Sequence, residues 1–102
     1  MKQQQQASGP EELVRNEGQS RYELRLGGQV AAKAEYRREG DTVRFTHTEV
    51  DSAYEGQGFG SRLAAFALDD VKSRGMKVVP QCEFIAAYIS RHEKEYGSLI
   101  HG

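Results

Sequence analysis

The stretch Glu55-Gly56-Gln57-Gly58-Phe59-Gly60-Ser61 decides how this chain of 102 residues is read. Its three closely spaced glycines let the backbone take conformations closed to other residues and bring its N–H groups near a ligand. Upstream, Thr42 to Val50 (TVRFTHTEV) is rich in β-branched and aromatic residues, which suit a pleated strand. Downstream, Leu63, Phe66, Ala67 and Val71 recur at helical spacing, and Ala64 and Leu68 widen the stripe. A helix opening directly behind glycines offers unpaired N–H groups and the positive end of its dipole. The strand-turn-helix unit therefore predicts an anion at the turn, with phosphate the natural one. The bland alternative is a glycine-rich connection that holds nothing.

Working outward, the helix closes with Lys72 and Arg74 in its last turn, favourable to the dipole's negative end, and Gly75 as its stop. Lys77 to Val79 reads as a short strand, so a strand-helix-strand unit with a right-handed crossover and parallel strands is expected. Pro80 lets the chain turn, and Phe84, Ile85, Tyr88 and Ile89 mark a second helix ending near His92. Towards the N-terminus, Tyr22, Leu24 and Leu26 alternate with Arg21, Glu23 and Arg25, the period of a half-buried strand. Gly27-Gly28 signals a hairpin; Val30, Ala32, Ala34 and Tyr36 then alternate in the antiparallel partner, and Gly40-Asp41 makes the next turn. The fold class is α/β, a central mixed and mostly antiparallel sheet with two main helices.

The length permits one small domain. Residues 1–13 (MKQQQQASGPEEL) combine a Gln run with Ser, Gly, Pro and acids and show no apolar period, so a disordered tail is expected there and a domain over residues 14–102. Lys plus Arg total 14 against 15 Asp plus Glu, a net charge of -1, which removes nucleic acid and anionic membrane as default partners. The single Cys excludes an internal disulfide and a cysteine-rich zinc site, and no apolar run resembles a signal peptide or a membrane span. The expected protein is a cytoplasmic monomer. No His, Cys or acidic residues stand at metal-ligand spacing and no Ser-His-Asp order is suggestive, so no metal is expected.

Three phosphate-binding readings compete for the turn. A P-loop requires a Lys behind the glycines and none is present, and a dinucleotide fingerprint requires GxGxxG at the head of a long βαβ array, whereas the spacing here is GxGxG with only about 40 residues remaining. Both fail. Gly56-Gln57-Gly58-Phe59-Gly60 resembles the pyrophosphate turn of the GNAT N-acetyltransferase superfamily, Q/R-x-x-G-x-G/A between the fourth strand and the next helix, with Gly58 and Gly60 on the two diagnostic glycines. Three more segments resemble a small single-domain GNAT subgroup: His47-Thr48-Glu49-Val50, Val78-Val79-Pro80-Gln81-Cys82-Glu83-Phe84, and Ala86-Ala87-Tyr88-Ile89-Ser90-Arg91-His92. The likeness runs from about Arg21 to Ile100. Glu55 stands where Gln or Arg is usual, Glu83 replaces a Pro, and Glu93-Lys94 occupies the place of Pro-Glu.

The resemblance implies acetyl-CoA as cosubstrate and a small-molecule or peptide amine as acceptor. It implies that the strand end at Thr48 and Val50 offers its backbone to the pantetheine arm, while Gly56, Gln57, Gly58, Phe59, Gly60 and Ser61 hold the pyrophosphate. Direct transfer needs a neutral amine, a polarised thioester carbonyl and a proton for the leaving thiolate. Glu49 and His47 are candidate general bases, and strand alternation places them on one face with Phe45. Cys82, between a strand and a helix N-terminus that favours its thiolate, either lines the acetyl pocket or accepts the acetyl group. Tyr88 is a candidate proton donor to the thiolate, its alternative role being core packing beside Phe84 and Ile85. The rival function is a CoA- or acyl-CoA-binding module that transfers nothing.

Overall fold

In a computed structural model that describes residues 9–100, the chain forms strands β1 (Glu11–Asn16), β2 (Arg21–Leu26), β3 (Gln29–Glu39), β4 (Thr42–Val50) and β5 (Lys77–Pro80). Helix α1 (Phe59–Ser73) lies between β4 and β5, and α2 (Glu83–Arg91) and the single turn α3 (Glu93–Tyr96) follow. The sheet order is β1-β2-β3-β4-β5, antiparallel throughout except for the parallel pair β4–β5. This is the mixed α/β sheet expected. Gly27 and Gly28 both take positive φ (54° and 88°), the geometry that matches a two-residue hairpin to strand twist.

One boundary moves. β1 begins at Glu11, inside the stretch expected to be tail, so the ordered domain starts ahead of Val14; the expectation for residues 1–8 lies outside the described residues. Glu11 to Asn16 shows little period because it is an edge strand: its order comes from pairing with β2, Glu11 opposite Leu26 through Asn16 opposite Arg21, and only Leu13 packs against the core. The extra strand makes Thr42–Val50 the fourth strand among the described residues, the place the resemblance implies for the strand before the turn.

The core is the interface between one sheet face and the helices. Leu63, Ala64, Ala67, Leu68 and Val71 of α1 are buried against Tyr22, Leu24, Ala34, Tyr36 and Phe45; Phe66 is half-buried and meets the Tyr22 ring edge-on at 5.9 Å. At the far end of α1, Asp70 accepts hydrogen bonds from the Tyr22 hydroxyl and the Arg15 guanidinium, both at 2.7 Å, and from Arg74 at 3.2 Å. That cluster ties β1 and β2 to the helix. Burial pushes the Tyr22 hydroxyl far above its ordinary range, with the Asp70 hydrogen bond adding to it.

The opposite face is polar. There Glu23 is 1% exposed, sealed by Arg21 (2.6 Å), Arg25 (2.6 Å) and Asn16 (3.1 Å). Burial alone raises its carboxyl, but the hydrogen bonds from Arg21, Arg25 and Asn16 outweigh it and hold the group below the ordinary carboxylate range. Among the described residues no helix is long and apolar enough to cross a membrane.

Candidate functional site

The site begins where two paired strands part. β4 stays paired with β3 as far as Val50, but its pairing with β5 runs only from Thr42/Lys77 to Phe45/Pro80. A final bond, from the Cys82 N–H to the Phe45 carbonyl at 2.9 Å, closes the fork. Beyond it the β5-side edge of β4, Thr46 to Val50, runs on past the end of its ladder partner. Backbone polar groups need partners, and an edge without a strand is open to an extended, amide-containing ligand.

A bulge in β4 decides which side chains line the fork. Tyr36 pairs with Phe45 and Glu35 with His47, so Thr46 is an extra residue with no opposite number on β3. Strict alternation would keep Phe45, His47 and Glu49 on one face. The bulge overturns that expectation: Phe45 is fully buried in the helix-side core, whereas His47 and Glu49 stand on the open face, 56% and 57% exposed. Those two remain together, with His47 Nε2 3.2 Å from Glu49 Oε1 and Lys33 Nζ 3.9 Å from the same oxygen. Thr48 and Val50 turn to the helix side. There the Cys82 thiol donates to Thr48 Oγ1 at 3.2 Å. Cys82 is buried and is the N-cap residue of α2, its thiol turned across the fork instead of capping the helix.

At the open end, Asp51 redirects the chain. Its N–H bonds the Ala31 carbonyl and its carboxylate accepts from the Ala53 N–H, both at 2.9 Å, which winds Ser52–Tyr54 into a tight turn and buries Tyr54. Glu55 to Gly58 then loop into α1. Gly58, with φ 78°, is the N-cap residue in the left-handed region, and no side chain caps the helix. Gly60 serves a different purpose: a Cβ there would lie 2.8 Å from Phe84 Cζ and 3.4 Å from Val50 Cγ2. The missing side chain lets α1 start hard against the first turn of α2.

Between these pieces lies a cleft of about 210 Å³ lined by Val50, Tyr54, Glu55, Gly56, Gly58, Phe59, Gly60, Ser61 and Phe84. Five of the six turn residues expected at the site share this one space with Val50; the Gln57 carbonyl instead accepts from Arg62 Nη1 at 3.2 Å. Tyr54 and Phe84, apolar walls of the cleft, are not among the site residues expected from the sequence, since each reads there as an ordinary core residue. Arg62 was missed as well. Its guanidinium folds back over the turn, 4.9 Å from the Phe59 ring centre, and makes a two-pronged pair with Glu11 at 2.8 Å on both prongs.

The ring contacts of Tyr88 lead to the far end of α2. It stacks on His92 with centroids 4.1 Å apart and stands 6.0 Å from Tyr96, whose hydroxyl donates to Asp69 at 2.7 Å. Burial, then the charges of Glu95 and Asp69, raise the Tyr88 hydroxyl above its ordinary range, so it stays protonated. Tyr88 itself is 8% exposed, part of the buried cluster that also holds Ile85 and Tyr96.

A family model described as GCN5-related N-acetyl-transferase matches residues 21–99. The crystal structure of the ribosomal-protein-S18-alanine N-acetyltransferase from Escherichia coli aligns with 57% of this chain at 27% identity and a TM-score of 0.54; the chain spans 38% of that enzyme's length. A GCN5-like protein from Staphylococcus aureus, solved in solution by NMR, aligns over 89% of this chain and 88% of its own, with a TM-score of 0.65 at 20% identity, a likeness of fold. No curated protein matches the sequence.

Proposed function

The chain belongs to the GCN5-related N-acetyltransferase family, and from that premise we propose that it binds acetyl-CoA in the β4–β5 fork and transfers the acetyl group directly to an amine. The observation that carries this reading is the fork itself: a strand whose free edge, Thr46 to Val50, leads to an uncapped helix N-terminus behind Gly58. A pantetheine arm carries amides that suit a free strand edge, and a pyrophosphate suits unpaired helix N–H groups. The Gly58 and Gly60 positions fit such a ligand because neither places a side chain between the turn and the cleft.

Acetyl-CoA supplies a thioester whose carbonyl carbon the acceptor nitrogen attacks; the C–S bond breaks and the CoA thiolate leaves, taking its proton from the Tyr88 hydroxyl or from water. The chain's own residues divide the remaining work. His47 and Glu49, exposed together on the open face, take the proton that the attacking amine loses, directly or through water. Cys82 and Thr48, linked across the fork, line the acetyl group. The acceptor reaches the fork from the open face, where His47 and Glu49 are exposed on β4. A small amine or a peptide amine fits this exposure, since the acceptor side offers few walls to reject a larger substrate.

Calorimetric titration with acetyl-CoA, followed by acceptor-dependent release of free CoA, tests the reading. Saturable one-to-one binding with turnover supports it. Binding without turnover over small amines and peptide N-termini makes the domain an acyl-CoA-binding module, and no binding up to about millimolar, near -4 kcal/mol, overturns it.

A further inference from the structure

We infer that Arg62 is the phosphate-side cation of this site and that Glu11, from the first strand, is its resident counter-ion, which a phosphate-bearing ligand displaces. The inference rests on the acetyl-CoA reading above and deepens it. Glu55 puts a carboxylate at the start of a turn whose anion needs positive charge. Arg62, one turn into α1, returns that charge to the same lip: Nη1 donates to the Gln57 carbonyl at 3.2 Å and lies 3.3 Å from where a Gly58 side chain would begin.

The prongs that Arg62 directs at Glu11 are the ones a phosphate would use. Nε and Nη2 each reach one Glu11 oxygen at 2.8 Å, a side-on fork that fits carboxylate and phosphate oxygens alike. The pair is half-exposed, with side chains 44% and 35% accessible, so water screens it and exchange of one anion for another is cheap. Glu11 therefore keeps the guanidinium extended over the turn when no ligand is bound and yields it to a more highly charged anion.

Calorimetry on the full chain with acetyl-CoA, S-acetylpantetheine and inorganic pyrophosphate separates the possibilities. Arg62→Gln is expected to weaken acetyl-CoA and pyrophosphate binding about tenfold at low salt and to leave S-acetylpantetheine unchanged. Glu11→Gln is expected to tighten acetyl-CoA binding several-fold, an effect that disappears in the Arg62→Gln background. Thermal melts show that each variant is folded. If wild type and Arg62→Gln bind acetyl-CoA equally, the inference falls while the acetyl-CoA reading stands; if wild type binds neither acetyl-CoA nor pyrophosphate, both fall. Equal losses for acetyl-CoA and S-acetylpantetheine would make Arg62 a structural residue and also overturn the inference.

Discussion

The thiol of Cys82 donates to the hydroxyl of Thr48 at 3.2 Å, joining the start of α2 to the end of β4 across an otherwise open fork. A thiol–hydroxyl bond is weak, so its worth is in placement: it aims two small polar groups at the same part of the fork.

If that placement is the whole role of the thiol, Cys82→Ser keeps the fold, the link to Thr48 and acetyl-CoA affinity, and keeps transfer within about tenfold of wild type. Intact-mass measurement after incubation with acetyl-CoA alone provides the check. An acetylated wild type, together with a Cys82→Ser variant that binds but does not transfer, would make the thiol an acetyl carrier.

Gly60→Ala is expected to destabilise the domain by about 1–3 kcal/mol, because the added methyl meets the Phe84 ring at 2.8 Å and Val50 at 3.4 Å. Phe84→Leu in the same chain should recover part of that loss, since it removes the blocking atoms. Urea unfolding of the two single variants and the double variant gives the coupling energy, and simple additivity would mean that the clash does not govern the cost.

Gly58→Val addresses the turn by another route. A β-branched residue resists the φ of 78° seen there, so the variant strains the N-cap and moves the helix N–H groups away from the cleft. Loss of acetyl-CoA binding in a protein that still melts cooperatively is the expected result. Unchanged affinity would refute the role assigned to the turn.

On the open face, Glu49→Gln should lower kcat about a hundredfold with little change in KM for acetyl-CoA, as loss of a proton acceptor that does not touch the cosubstrate. His47→Ala should lower kcat less if His47 acts through Glu49, whose oxygen lies 3.2 Å from its ring nitrogen. Equal rates for wild type and Glu49→Gln under saturating acceptor would move the base elsewhere.

Stability should fall in acid for a definable reason. Glu23 and Asp70 have carboxyls held below the ordinary range in the folded protein: burial raises each, but hydrogen bonds from Arg21, Arg25 and Asn16, and from Tyr22, Arg15 and Arg74, outweigh it. Groups of that sign stabilise fully above about pH 5, and the contribution drains as pH falls through their lowered folded values. Glu23→Gln is expected to cost about 2 kcal/mol at pH 7, less than a fully buried pair because its arginines are partly exposed, and to flatten the acid limb of a urea-midpoint profile from pH 7 to 3. An unchanged acid limb would remove Glu23 from the account.

Much of the architecture was legible because its signals are local. Alternation in Tyr22-Leu24-Leu26 and the glycine pair at 27–28 announced β2, β3 and their turn, and the Leu63-to-Val71 stripe announced α1. The strand at Glu11–Asn16 was not legible, since an edge strand with one half-buried Leu carries no period of its own. At the site, the glycines between Gly56 and Gly60 mark the turn that lines the cleft, whereas Tyr54 and Phe84 carry no signal of facing it: an aromatic residue reads the same whether it faces a core or a cleft.

The sequence by itself determined the order of the main elements from Arg21 onward, the mixed sheet and the glycine turn, because period, propensity and permitted φ are properties of neighbouring residues. Only the tertiary structure decided which side chains meet. The bulge that parts Phe45 from His47 exists in the register between two strands, and the links from Cys82 to Thr48 and from Arg62 to Glu11 span 34 and 51 positions of chain. Such contacts are selected by packing and pairing across the whole domain, where a single extra residue in one strand reverses the face of every side chain beyond it.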